Sequence, residues 1–340
     1  MQKSKCLFDR RLETPKITIA IPTFNRPTEL QECLKSISGQ TVLKDAFHVL
    51  VINNSQDEVA KQATRNVIDE FTELQLAYFE NESNIGMFGN WNACISQCQT
   101  PYMTILNDDD RLAPNFLANM LPLIDGPTLL VSRAKIVGSN YSMLQNVLKT
   151  LYLRVLWFFD LLRQTYDIGP AKFLSGNTIH ASLGIIFSTE AARSLAGFDE
   201  RKFPAADLVF SHLYALRYGV LYEYRELSEY HWGNNASLRP EIAAGQIIQE
   251  FRLRSWYLRQ SEISKHLFNL GRYWSLIHLK SKYLQMSLSL SEKLDLHAMM
   301  PLIKKIPDVN IRIVYIGWKL FEFAIYFDRM FKCRDKKLVK

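Results

Sequence analysis

Apolar and polar positions alternate along the first part of the chain in two distinct periods. Lys16 to Pro22, Phe47 to Ile52, Leu74 to Phe79, Tyr102 to Leu106 and Thr128 to Ala134 are short apolar runs, the pattern of strands buried on both faces. Between them, Pro27 to Ser38, Glu58 to Phe71, Phe88 to Gln97 and Pro114 to Leu123 carry apolar residues at helical spacing. Pro27 suits the first turn of a helix, where its missing N–H is not needed. Strand–helix alternation of this kind predicts an α/β fold, a mainly parallel sheet with helices on both faces.

The polar residues of this region gather where the strands end. Thr23-Phe24-Asn25-Arg26 follows the first strand, Asn53-Asn54-Ser55 the second, and Asn107-Asp108-Asp109-Asp110 the fourth. Open α/β sheets bind ligands outside the carboxyl ends of their strands. Three adjacent carboxylates repel one another unless they are solvated, paired with cations or bound to a metal. Placed at a strand end, such a cluster suits a hard divalent cation and, through it, a phosphate; the plain alternative is a solvated acidic turn. No Gly-x-Gly-x-x-Gly follows the first strand, Gly86-x-x-Gly89 is too short to replace it, and no Gly-Lys-Ser/Thr exists. A nucleotide on this sheet would therefore be held by side chains and a metal rather than by a glycine cradle.

Composition narrows the class further. The chain has 340 residues, 48% of them hydrophobic, enough for one large domain or a domain with an appendage. The five cysteines lack paired ligand spacing; Cys94 and Cys98, one helical turn apart, read as buried thiols, which suits a reducing, cytoplasmic compartment. The apolar segment near Met1 is too short for a secretory signal, and no apolar run reaches the ~18 residues of a spanning helix. Glu241 to Leu294 reads as a helical appendage, whose mixed basic and aromatic residues lack any nucleic-acid recognition motif. Met143 to Leu162 and Ile311 to Phe331 are amphipathic. The net charge is +7, with Lys332, Arg334, Lys336, Lys337 and Lys340 crowding the end, so the last helix suits an anionic membrane surface.

With these residues in view, the chain resembles the family 2 glycosyltransferases of the GT-A (nucleotide-diphospho-sugar transferase) fold. The resemblance runs from Ile17 to about Leu112, with weaker echoes to about Ser237. It is carried by Ile21-Pro22-Thr23-Phe24-Asn25-Arg26, Val51-Ile52-Asn53-Asn54-Ser55-Gln56-Asp57, Asn84-Ile85-Gly86 with Asn90, and Leu106-Asn107-Asp108-Asp109-Asp110-Arg111-Leu112. It implies that Pro22, Thr23, Asn25 and Arg26 line the base and ribose pocket. It places Asn53, Asn54, Asn84, Gly86, Asn90 and Asp108 among the nucleotide-binding residues. Asn53 and Asn54 replace the usual aspartate pair, although each amide offers both a donor and an acceptor. Asn107 stands where the family often has a first aspartate, which leaves Asp109, with Asp110 beside it, as the match to the metal-binding position for Mn2+ or Mg2+.

Further along, Ser175-Gly176-Asn177-Thr178, Ala181-Ser182-Leu183-Gly184 and Gly197-Phe198-Asp199 are similar to the family's acceptor-side segment. Asp207, after Ala206 in place of a customary acidic residue, matches the catalytic base; otherwise it reads as a helix cap or first-turn residue. His231 falls where related enzymes carry a histidine near metal or diphosphate, and His180 and His212 have weaker claims. The resemblance implies a catalytic domain over 1–240, with a nucleotide-binding half at about 16–134 and an acceptor half at about 135–240. A helical C-terminal region with a basic amphipathic end fills 241–340. The implied reaction is inverting transfer of a sugar from a nucleotide-diphosphate donor to a glycan or lipid-linked acceptor in bacterial cell-surface polysaccharide synthesis, by a protein peripheral at the inner face of the membrane. Two alternatives stand beside it: a sugar nucleotidyltransferase, which lacks its Gly-rich, Lys-bearing loop here, and a non-catalytic assembly partner with a degenerate transferase domain, kept open by Asn53, Asn107 and Ala206.

Overall fold

The computed structural model describes residues 4–11, 15–137, 165–167, 183–231, 239–260, 263–296 and 299–310, with seven further positions between 313 and 324. The amphipathic run Met143 to Leu162, Ser175-Gly176-Asn177-Thr178, His180, the residues after His231 up to Ser237, and the basic tail lie outside the described residues.

The alternation read from the sequence is realised with small shifts at the ends. In chain order the first elements are β1 (Ser4–Asp9), β2 (Ile17–Thr23), α1 (Pro27–Ser38), β3 (Phe47–Asn53), α2 (Glu58–Asp69), β4 (Leu76–Asn81), α3 (Met87–Gln97) and β5 (Tyr102–Ile105). They continue as β6 (Arg111–Leu112), α4 (Phe116–Met120), β7 (Leu129–Val137), β8 (Thr165–Asp167), β9 (Ile185–Ser188), α5 (Thr189–Ser194), α6 (Ala206–Tyr218) and β10 (Val220–His231). Helices α7 (Pro240–Gln260), α8 (Lys265–Ser289) and α9 (Met300–Lys304) follow, and the described positions between 313 and 324 are helical as well.

One sheet runs in the order β1-β4-β3-β2-β5-β9-β7-β10-β6, with β8 pairing β10. Its centre, β4-β3-β2-β5, is parallel, and β2 and β3 are buried along their whole length. Ile17, Ile19 and Ile21 meet Leu30, Leu34 and Ile37 of α1 in the main core cluster. Two features depart from a simple parallel reading. β1 adds an antiparallel edge to β4, and β9 runs antiparallel to both β5 and β7. The sheet therefore reverses sense beside β5, which is the strand that leads into the acidic cluster. Cys94 and Cys98 are both buried, as their spacing on one helix face predicts.

The chain divides into two compact units. The first comprises 1–168, 179–200 and 210–233; the second comprises 169–178, 201–209 and 234–340. In the second unit Ala243, Ala244 and Ile247 of α7 share an apolar core with Leu279 of α8, Leu294, Leu296 and Ile303. Among the described residues no helix is long and apolar enough to cross a membrane.

Candidate functional site

The parallel register of β2 with β3 and β5 brings three strand ends to one edge. Past the end of β2 the chain turns sharply, with Asn25 in the left-handed region at φ 54°, a conformation that asparagine tolerates better than most residues. The Asn25 N–H donates to Ser55 Oγ at 2.9 Å, tying this turn to the one after β3. Thr23 Oγ1 donates to Asp108 Oδ2 at 2.8 Å, and the Phe24 N–H donates to the same oxygen at 3.4 Å. Arg26 spans two carboxylates, with Nη1 2.7 Å from Asp109 Oδ2 and 3.4 Å from Asp108 Oδ1. Pro22 is the buried penultimate residue of β2.

The three aspartates therefore differ in kind. Asp108 and Asp110 are 5% and 1% exposed, and desolvation pushes them up to about 6 and about 7. Asp110 is fixed from two sides: Asn107 Nδ2 donates to its Oδ2 at 3.1 Å, and the His231 N–H donates to its Oδ1 at 3.2 Å. Asp109 is the partly exposed member, and Arg26 engages only its Oδ2. β10 pairs antiparallel with β6 at Ser228–Leu112 and Glu229–Arg111, which carries His231 back to the cluster. The His231 Nε2 is buried without a hydrogen bond, 3.5 Å from Glu229 Oε2. Desolvation and the Arg111 charge hold this imidazole below its ordinary pKa, so at neutral pH it is the uncharged form that ligates metals.

Among the described residues no three acidic, histidine or cysteine side chains form a ready-made metal cage. The donor set still fits a hard divalent ion of the Mg2+ kind, which keeps waters and uses one or two carboxylates plus substrate phosphates. Asp109 offers an uncommitted carboxylate oxygen and His231 an orphaned nitrogen; Asp110 is buried, with both oxygens engaged.

The asparagines form a second network. Asn54 Nδ2 donates to Asn84 Oδ1 at 2.8 Å and to the Gly86 carbonyl at 3.3 Å; its Oδ1 accepts from Asn81 Nδ2 and the Ile85 N–H. Asn81 also donates to Asn90 Oδ1, and Asn90 donates to the Ile52 carbonyl. Gly86 opens α3 at φ 75°, a conformation costly to any residue with a Cβ. Asn53 Nδ2 donates to Tyr78 Oη at 3.0 Å, and its Oδ1 accepts from the Ser55 N–H. The Tyr78 hydroxyl donates to Glu80, which takes two bonds from Arg65. Although burial opposes it, Arg65 and Tyr78 hold Glu80 below its ordinary pKa. Asn53 and Asn54 are thus buried with both ends of each amide engaged inside the protein, where they shape the turns. Arg65, Tyr78, Glu80 and Asn81 complete this network. No motif signals them, except that Asn81 is another polar residue at a strand end.

Asp207 lies in the second unit, in the first turn of α6, where a carboxylate also suits the helix dipole. Desolvation pushes it up to about 6.

Residues 18–179 match the family model for glycosyl transferase family 2. The chain is 32% identical over 108 residues to the GalNAc(5)-diNAcBac-PP-undecaprenol beta-1,3-glucosyltransferase of Campylobacter jejuni, covering 32% of this chain and 34% of that protein. It is 29% identical over 112 residues to the abequosyltransferase RfbV of Salmonella typhimurium, covering 32% of each. The chain thus spans about a third of the length of these curated relatives. Among solved structures it resembles Staphylococcus aureus TarS 1-349 in complex with UDP-GlcNAc, with a TM-score of 0.56, 15% identity and coverage of 91% of each chain. It also resembles the mannosyltransferase PcManGT of Pyrobaculum calidifontis in complex with GDP-Man and Mn2+, with a TM-score of 0.58, 16% identity and coverage of 96% of this chain and 90% of that one. These likenesses show the GT-A fold expected from the sequence.

Proposed function

We propose, from the match of residues 18–179 to the glycosyl transferase family 2 model, that the protein is an inverting glycosyltransferase. It moves a sugar from a nucleotide-diphosphate donor to a hydroxyl of a glycan or lipid-linked acceptor in cell-surface polysaccharide synthesis. The observation that carries this reading is the meeting of Asp108, Asp109 and Asp110 with Thr23, Arg26 and His231 at the carboxyl edge of the sheet. The names of relatives support the substrate classes: one acts on a PP-undecaprenol-linked glycan, and two neighbours hold UDP-GlcNAc or GDP-Man. In this reading 16–134 binds the nucleotide, 135–240 the acceptor, and 241–340 is an added helical region. The protein works in the cytoplasm, peripheral at the inner face of the membrane.

In the proposed chemistry Asp207 accepts the proton of the acceptor hydroxyl while its oxygen bonds to the anomeric carbon. The bond from that carbon to the diphosphate breaks at the same time, and the nucleoside diphosphate leaves. A carboxylate base acts best with a pKa close to the operating pH, and the desolvation of Asp207 moves it that way. Arg26 bridges Asp108 and Asp109 and so holds the acidic cluster against the turn that lines the base and ribose pocket. Asp109, with Asp110 and His231 as neighbours, would hold Mn2+ or Mg2+, which when bound neutralises charge on the leaving group. Thr23, Asn25 and Pro22 form the wall on which base and ribose rest, and the network of Asn53, Asn54, Asn84, Gly86 and Asn90 keeps that wall in shape.

Calorimetric titration with UDP, GDP and dTDP, with and without Mn2+, tests the reading. One nucleotide should bind, more tightly with Mn2+, and Asp109→Ala should remove the Mn2+ increment. Failure of all three to bind under both conditions would favour the degenerate, non-catalytic alternative.

A further inference from the structure

The end of the chain differs from the rest in charge and in what it leaves uncovered. Residues 301–340 contain ten Lys and Arg against four Asp and Glu, so they hold six of the seven net positive charges of the whole chain. The preceding 300 residues are close to neutral by the same count. Within this basic segment the described positions 313, 314, 316, 317, 320, 321 and 324 are helical.

One stripe of this terminal helix is packed inside the second unit. Val314 and Phe321 are buried. A Cβ added to Gly271 of α8 would lie 2.7 Å from the Phe321 ring, and one added to Gly317 would collide with the Trp274 indole. Gly271 opposite Phe321 and Trp274 opposite Gly317 set the helix antiparallel to α8, with a glycine on each side of the close approach. The lead-in segment is tied down as well: Ser281 Oγ donates to the Val309 carbonyl at 2.7 Å, and Lys280 pairs with Asp308 at 2.7 Å.

A second apolar stripe faces away. Ile313, Ile316 and Leu320 recur at helical spacing and are 55%, 58% and 67% exposed. A helix that buries one stripe in a protein core usually carries polar residues opposite. Single exposed aliphatic residues are ordinary, but here three align within the most basic part of the chain. The boundary of an anionic bilayer satisfies both properties at once, because acyl chains accept the aliphatic stripe while headgroups attract Lys and Arg.

We propose that the terminal helix docks the protein on an anionic lipid bilayer, inserting Ile313, Ile316 and Leu320 at the headgroup–acyl boundary, with the net positive charge of residues 301–340 supplying the electrostatic attraction. The proposal rests on and deepens the membrane placement given above, by naming the surface and its partner. Flotation of the full chain with vesicles of phosphatidylcholine, alone or mixed with phosphatidylglycerol, tests it without nucleotide or glycan present. Binding should require the anionic lipid and fall as salt rises. The double variant Ile316→Glu, Leu320→Glu should bind roughly tenfold more weakly or worse, because it places charge where the aliphatic stripe must insert. Both positions are exposed, so the variant should keep its melting temperature. No binding to anionic vesicles at low salt would overturn the proposal, as would equal binding to neutral vesicles or wild-type binding by the double variant. So would a self-associated wild type, made monomeric by these substitutions, that ignores vesicles, because a second copy would then cover the stripe. Such failures leave the nucleotide titration untouched, and failure of that titration leaves the vesicle result standing.

Discussion

Asp108, Asp109 and Asp110 are neighbours in sequence but occupy three electrostatic situations. Asp108 is spent on Thr23, Phe24 and Arg26, Asp110 on Asn107 and His231, and Asp109 keeps one oxygen uncommitted. Asp109→Ala should therefore abolish metal-dependent nucleotide binding while leaving the fold intact, measured by calorimetry alongside a thermal melt. Asp207→Asn should lower kcat by about a hundredfold to ten-thousandfold, the usual effect of losing a general base, with donor binding unchanged. The pH profile gives an independent check. Asp207 is pushed up to about 6, and a base works only when deprotonated, so kcat/KM should rise with an acid limb near pH 6. An ordinary aspartate would place that limb near about 4. Stability runs the other way: a carboxyl whose folded pKa is raised favours folding below its unfolded pKa and loses that contribution as pH rises through 6. Asp207→Asn at pH 8 should thus melt no lower than wild type, which separates lost chemistry from lost folding. The identity of these aspartates was legible in the sequence. The division of labour among them was not, because it depends on Arg26 and His231, both distant along the chain.

Among the elements, β3 and β4 do more than form the core. Their ends carry the chain of bonds from Arg65 through Glu80 and Tyr78 to Asn53, which gives the amide at position 53 a role that an aspartate could not fill. The Tyr78 proton is committed to Glu80, so its oxygen needs a donor from position 53, and a carboxylate has none. Tyr78→Phe should destabilise the protein by about 1–3 kcal/mol in chemical denaturation, because it leaves buried polar partners unpaired. Asn53→Asp should destabilise by a similar amount, on the order of 1–3 kcal/mol. Helices such as α1 were readable to the residue because Pro27 marks the start. β1 and β10 were not. β1 mixes half-buried and exposed residues without a regular two-residue period at a sheet edge. β10 hides its strand character behind Glu223, Arg225, Glu226 and Glu229, which are satisfied by Arg225–Glu223, Arg133–Glu226 and Lys135–Glu229 pairs.

At the scale of the molecule, the parallel centre of the sheet was legible because each strand and helix announces itself locally. The reversal at β9 was not, since it depends on pairings between segments far apart in sequence. That non-locality has a consequence for biosynthesis. The amide of His231 meets Asp110 across 121 positions of chain, whereas β2, β3, β4 and β5 are all made before the acidic cluster itself. During translation β2 to β5 are complete while the cluster still lacks its β10 partner, and closing so long a loop is slow relative to local pairing. A nascent chain stalled before β10 should thus expose a carboxylate-rich edge that lacks the His231 amide, so that Asp110 gains its second partner only with completion of the sheet rather than with its nucleation.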